Sequence, residues 1–148
     1  MDNKMNTIDA ALDQEFNTPK VVEDNNNKPR AFVVWKIGDK EYKLKLTAAW
    51  IVRLEEQFGQ SLMLAITEDG IPSLNVVLPV LQAALQKFNH GIKSTDVSGM
   101  YDDYIDSGKT IIDLLGETIY PLLYDAGFFT KATLDVMTEQ MKTLDGAL

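Results

Sequence analysis

The stretch YDDYIDSGKT, residues 101–110, comes nearest in this chain to a known chemical motif. Its last three residues, from Gly108 to Thr110, match the end of a phosphate-binding loop, G-K-[ST]. The complete loop also needs a glycine five positions before Gly108, so that backbone amides can surround the phosphates, but that position holds Asp103. Neighbouring carboxylates would also repel a triphosphate. The stretch therefore predicts a helix end followed by a new helix capped by Thr110.

The same acidic stretch resembles a calcium-binding loop only in its content of aspartate. Such a loop places oxygen ligands at its first, third and fifth positions. Counting from Asp102 puts Tyr104 third, and counting from Asp103 puts Ile105 third. Neither side chain is a carboxylate or an amide, so the aspartates are expected on the solvated face of a helix.

The other residues that could take part in catalysis lack the further catalytic groups that an active site would need. His90 is the single histidine, and the chain has no cysteine. A nucleophilic or metal site would need several such groups together. Glu55 and Glu56 are adjacent, so they point in different directions on a helix and do not form an acid and base pair. We therefore predict no enzymatic activity, no catalytic residue, no cofactor and no metal.

The composition narrows the classes of partner and compartment. The 148 residues suffice for one domain with a core, and the net charge is −8. Such a charge disfavours nucleic acids and anionic membranes and fits a basic partner. The N-terminus lacks the apolar run of a signal peptide, and no stretch approaches the eighteen or so apolar residues of a membrane span. A cytoplasmic protein is expected.

A β-hairpin is predicted at the start of the folded region, in AFVVWKIGDKEYKLKL, residues 31–46. Val33, Trp35 and Ile37 share one face of the first strand, and Gly38 begins the turn. In the second strand the apolar residues alternate with charged ones. A lone hairpin is marginal in water, so its apolar face must pack on helices.

Helical periodicity follows the hairpin as far as the C-terminus. Thr47 and Gly59 bound the first helix, and later segments carry apolar stripes at helical spacing. The stripe of the long second helix comprises Leu74, Val77, Leu78, Leu81, Leu85 and Phe88. The fold class predicted is α+β and mainly helical, with one N-terminal β-hairpin followed by four to five packed α-helices.

Three regions are predicted along the chain. Residues 1–30 form a flexible N-terminal arm, because the polar, proline-containing part from Asn17 to Arg30 buries too little apolar surface to fold. A short amphipathic helix from Thr7 to Phe16 that docks on a neighbouring subunit is the alternative for the start of this arm. Residues 31–129 form the globular domain, and residues 130–148 form a helical or flexible tail.

The strand Y-x-L-x-L-T leading directly into a helix L-E-x-x-F-G-x-S-L resembles the tail assembly chaperones of long-tailed, siphovirus-like bacteriophages and prophages, and the related tail proteins of gene transfer agents. The matching residues are Tyr42, Leu44, Leu46, Thr47, Leu54, Glu55, Phe58, Gly59, Ser61 and Leu62. The order of later helices is similar too, so the resemblance covers about residues 31–129, which it identifies as a chaperone-like domain.

The resemblance implies a concrete function. Such chaperones bind the tape-measure protein in the cytoplasm of the bacterial host during virion assembly, help to recruit tail tube subunits, and are absent from the mature virion. The alternative is a structural tail component, either a tube subunit or a head–tail connector. A small regulatory or adaptor domain is a third interpretation. The sequence also leaves open that the chain forms homo-oligomers, because the arm and the free edge of the hairpin both offer contacts to a second copy.

The surface that binds the partner is predicted near the C-terminus. The candidates are Phe128, Phe129, Met137 and Met141, because methionine and aromatic side chains suit adaptable apolar contacts. The alternative for Phe128 and Phe129 is that they close the core.

Overall fold

A computed structural model describes residues 32–147 of the chain. The predicted arm, residues 1–30, and the helix predicted within it lie outside these residues. The described region contains two strands, β1 (Val33–Ile37) and β2 (Lys40–Leu44), followed by six helices. Their bounds are α1 (Ala48–Phe58), α2 (Leu62–Thr67), α3 (Leu74–Leu85), α4 (Ser94–Asp106), α5 (residues 111–125) and α6 (Lys131–Ala147).

The hairpin follows the predicted alternation. β1 and β2 pair antiparallel around a two-residue turn, with Trp35 opposite Tyr42. Gly38 takes the first turn position with φ +61°, a conformation that glycine adopts without strain. Trp35 is wholly buried. Beyond β2, the Lys45 N–H donates to the Ala84 carbonyl of α3 at 2.9 Å, which holds the hairpin against the helices.

The sequence LEEQFGQSL forms a corner between α1 and α2. Gly59 ends α1 with φ +70°, and its N–H donates to the Glu55 carbonyl. The Glu55 side chain crosses the corner, where its Oε2 accepts a hydrogen bond from the Leu62 N–H at 2.8 Å. The Oγ of Ser61 caps α2 by accepting from the Leu64 N–H. These bonds fix the angle between the two helices, so the polar residues of the motif have structural roles.

The helix α3 runs through the centre of the core. Its inward face includes the buried residues Val77, Val80, Leu81, Ala84 and Leu85. The predicted stripe is wrong at its two ends, because Leu74 and Phe88 are 42% and 41% exposed. Leu74 starts the helix at the edge of the buried stripe, and Phe88 lies beyond the last helical residue.

The helix α5 contains a π-helical segment. It runs as α-helix over Ile111–Leu114, as π-helix over Leu115–Ile119, and again as α-helix over Tyr120–Asp125. The Tyr120 N–H donates to the Leu115 carbonyl, five residues back. The wider turn directly precedes Pro121, which has no N–H and would crowd a regular helix.

The predicted fold class is confirmed, since the described residues form a hairpin followed by helices with one shared core. The core draws on both strands and on all six helices, including Leu134 of α6. The helix that the sequence did not predict is α2, because six residues are too short to show a period.

Candidate functional site

The segment that resembled a phosphate-binding loop is a helix cap. Thr110 and Asp113 form a reciprocal capping pair, in which the Thr110 N–H donates to Asp113 Oδ2 at 2.9 Å and the Asp113 N–H donates to Thr110 Oγ1 at 3.2 Å. Lys109 forms an ion pair with Glu117 at 3.2 Å, so it does not point to a free anion site. Gly108, with φ +101°, ends the preceding turn.

The other polar residues that could contribute to a site do not come together in one place. His90 is exposed in the turn after α3. Within residues 32–147, no three histidine, aspartate or glutamate side chains lie close enough together to hold a metal ion. Over the same residues, no helix has both the length and the apolar content needed to cross a membrane.

The four predicted contact residues lie on α6 or just before it, and all are partly buried against the core. Phe128 and Phe129 are half-buried in the connection between α5 and α6, where the Phe128 N–H donates to the Leu123 carbonyl at 3.0 Å. Met137 and Met141 are half-buried on α6. All four pack against the core cluster, which covers part of the surface they would offer to a partner.

A groove of mixed polar and apolar lining lies elsewhere, between α1, α3 and the start of α4. Its volume is about 510 Å³. Leu74 and Leu78 lie one turn apart in its floor, and Leu74 is 42% exposed. The other lining residues are Gln57, Asn75, Pro79, Gln82, Ser94, Thr95 and Ser98. Among the described residues that line this groove none is charged, although the whole chain carries a net charge of −8.

Pro79 interrupts the helical hydrogen bonding beside this groove. It lies inside α3 and has no N–H, so it cannot donate to the carbonyl of Asn75, four residues back. Both residues line the groove. The surface therefore combines two leucines with side-chain amides and hydroxyls. Such a lining suits a helical or extended segment with an apolar side.

A second cavity, of about 380 Å³, lies between β1 and the helices α4 and α5. Trp35 and Tyr104 line it, with ring centroids 5.9 Å apart. The Trp35 Nε1 and the Tyr104 hydroxyl are buried and have no hydrogen-bond partner among residues 32–147. Burial raises the pKa of Tyr104 far above its usual range, and the nearby carboxylates of Glu117 and Asp113 add to the shift. The hydroxyl therefore stays protonated and is no base at neutral pH.

Comparison with known proteins identifies a family whose function is unknown. Residues 29–147 match a family of unknown function (DUF6096), which is well over half of the chain. The chain belongs to this family. No curated protein and no solved structure shows a significant match.

The match to the DUF6096 family begins just before β1 and ends with α6. It therefore includes both the corner between α1 and α2 and the C-terminal helix. The helix α6 is part of the family's shared unit, although the resemblance to tail assembly chaperones ended near Phe129.

Sequence reasoning missed the groove of α1, α3 and α4. Leu74 and Leu78 fit the apolar stripe of α3 and were assigned to the core. One signal was available, since Pro79 interrupts the hydrogen bonding of the helix beside these leucines. Gln57 and Ser98 lie beside these leucines because of the way three helices pack together. No local sequence pattern shows this packing.

Proposed function

We propose that the chain is a phage tail assembly chaperone, a binding protein that holds apolar helical segments of the tape-measure protein in the host cytoplasm and helps to recruit tail tube subunits. The observation that carries the proposal is the uncharged groove around Leu74 and Leu78 on an otherwise strongly acidic chain. Charge keeps the free chaperone soluble, while Leu74 and Leu78 offer apolar contacts in a groove whose lining has no charged side chain to desolvate.

Two further observations support this proposal. The residues behind the resemblance form a continuous unit in the fold, from β2 through α1 to the corner at Leu62. The titratable groups found in motif-like stretches serve instead as caps and ion pairs, as Asp113 and Lys109 do. A role in binding is therefore better supported than a role in catalysis.

The test is a pull-down of the tape-measure protein from the same genome, co-expressed with tagged variants of this chain. Leu74→Lys places a charge in the groove at an exposed position, so we expect the fold to persist and capture to fall about tenfold or more. The matched control is Val136→Lys, because Val136 is 56% exposed on the helix α6 and lies outside the groove. Equal capture by wild type and Leu74→Lys would exclude the groove as the contact surface.

The second candidate function is a structural tail component, such as a tube or connector subunit. Among residues 32–147, β1 pairs with no strand other than β2, and its other edge favours this function because it could pair with a strand of another subunit. Mass spectrometry of purified particles separates the two functions. The chaperone is absent from finished particles, whereas a structural subunit is present in many copies.

A further inference from the structure

The last helix, α6, packs on α5 through a shallow interface. Among the side chains of α6 that the structure describes, Leu134 alone is buried, and Met137, Met141 and Leu144 are half-buried. Two cavities remain along this interface, one of about 120 Å³ beside Leu134 and one of about 180 Å³ beside Met141. Both cavities are partly open to solvent, and α6 therefore packs on α5 through few buried side chains.

The surface of α5 under α6 is shaped to receive a helix. Gly116, in the π-helical segment, faces Met141, and a Cβ built on Gly116 would lie 3.9 Å from the Met141 Cβ. The missing side chain lets another helix approach closely. Methionine fills such a site adaptably, and other unbranched side chains would fit it too.

The charges along this interface do not favour α6 as its occupant. Asp113 and Glu117 of α5 and Asp145 of α6 line the cavity beside Met141, where Lys142 is the single cation among the described lining residues. Lys142 lies 3.8 Å from Glu139 of its own helix. Overall, α6 carries two lysines and three carboxylates, so it brings net negative charge to an acidic surface.

The other end of the interface also has an unused acceptor. Asp125 lines the cavity beside Leu134, and its side chain is 2% exposed. Its Oδ2 accepts a hydrogen bond from Lys45 Nζ at 3.0 Å, whereas Oδ1 has no partner among residues 32–147. A buried carboxylate oxygen without a donor is unfavourable. Lys131 of α6 lines the same cavity, so carboxylates of α5 lie at both ends of the face that α6 covers, with one lysine of α6 near each end.

The connection from α5 to α6 allows the helix to leave as a unit. It consists of residues 126–130, and Gly127 has φ +90°. Since α6 contributes only Leu134 to the buried core, its departure would leave the contacts among the hairpin and α1 to α4 in place.

We propose that the face of α5 beneath α6 is a binding surface for a basic amphipathic helix of a partner protein, and that α6 occupies this surface until the partner displaces it. Leu134, Met137, Met141 and Leu144 of α6 mark the apolar positions that the partner would supply. Lysine or arginine beside them would meet Asp113 and Glu117 of α5, in competition with Lys109 for Glu117. This inference is independent of whether the partner is a tape-measure protein.

The test locks α6 in place with a disulfide in the full chain. The 3.9 Å between the Cβ positions of residues 116 and 141 suits a disulfide, whose Cβ atoms lie about 3.5–4.5 Å apart. The wild-type chain has no cysteine, so Gly116→Cys/Met141→Cys forms a single defined bond. The probe is a labelled synthetic peptide with the sequence of residues 130–146, in which lysine replaces Asp135, Glu139 and Asp145. Its binding is measured by fluorescence anisotropy to the reduced and oxidised protein.

We expect the reduced protein and the control Met141→Cys to bind the peptide, and the oxidised protein to bind about tenfold more weakly or worse. Equal affinity of both forms, or no binding to the reduced form, would overturn the proposal. If light scattering showed the reduced protein to be a dimer and the oxidised protein, whose α6 is locked, to be a monomer, the occupant would be a second copy, and a separate partner would be excluded.

Hydrogen exchange of the wild-type chain gives a second measurement that needs no variant. Release of α6 predicts that its amides exchange about tenfold or more faster than those of α3. Amides of α6 that were protected as strongly as those of α3 would contradict the release of this helix.

Discussion

Lys45 and Asp125 form the most buried ion pair of the described residues, with 2% exposure of the Asp125 side chain and 30% of Lys45. The pair joins the end of the hairpin to the end of α5. A buried charge that loses its partner is costly, whereas replacing both partners by apolar groups is often nearly neutral.

Lys45→Met should therefore lower the free energy of unfolding by about 3 kcal/mol, because it leaves the Asp125 carboxylate buried without a cation. The double variant Lys45→Met/Asp125→Leu should recover most of this loss. Urea unfolding of the four members of the cycle measures both effects. A double variant as unstable as Lys45→Met would contradict a role for the unpaired charge.

The ionisation of Tyr104 makes the stability of the fold depend on pH. Burial, then Glu117, Asp113 and Tyr101, raise its pKa, so the folded state holds the proton more tightly than the unfolded chain, where the pKa is about 10. The resulting stability is fully present below pH ~10 and is lost as the pH rises above that value. Burial also raises the pKa of Tyr120, which adds in the same direction.

We expect Tyr104→Phe to flatten the fall in stability above pH ~10. At pH 7 the substitution should change the free energy of unfolding by less than about 0.5 kcal/mol, because the hydroxyl has no hydrogen-bond partner among residues 32–147. Denaturant unfolding at several pH values measures both quantities. A variant whose stability falls as steeply as that of wild type would contradict the assignment to Tyr104.

At the scale of elements, the corner between α1 and α2 depends on one backbone conformation. Gly59 has φ +70°, and no atom lies within 4 Å of a Cβ built there. Any cost of a side chain at this position therefore comes from the left-handed backbone and not from a steric clash. Gly99, inside α4, has equally open space and no positive φ.

These two glycines make a matched pair for mutation. Gly59→Ala should lower the free energy of unfolding by about 1 kcal/mol, because alanine is strained in the left-handed region. Gly99→Ala should raise it by about 0.5–1 kcal/mol, because alanine favours the helix interior. Thermal unfolding of both variants measures these changes. If both substitutions changed the free energy of unfolding in the same direction, the conformation assigned to the corner would be contradicted.

The elements differ in how far the sequence could predict them. The alternation from Tyr42 to Leu46 and the stripe through Leu54 and Phe58 are local patterns, and both elements were predicted. The short helix α2 was missed, since six residues span fewer than two turns and show no repeating apolar stripe. The groove on α3 and the docking of α6 on Gly116 depend on packing between distant segments, which local spacing does not encode.

At the scale of the whole molecule, charge and apolar surface are separated. The chain carries −8 overall, yet the groove around Leu74 is uncharged, and carboxylates line the face under α6. The first surface suits an apolar segment and the second a basic helix. The proposed holding function would need both solubility and apolar contact, and this division would supply them on one small domain.

Co-expression with the tape-measure protein of the same genome tests the proposed function most directly. The quantity measured is the soluble fraction of the tape-measure protein, with this chain present, absent, or replaced by Leu74→Lys. We predict that the wild-type chain raises the soluble fraction severalfold, and that Leu74→Lys does so much less. A tape-measure protein that stays equally insoluble with and without the wild-type chain would contradict the chaperone function.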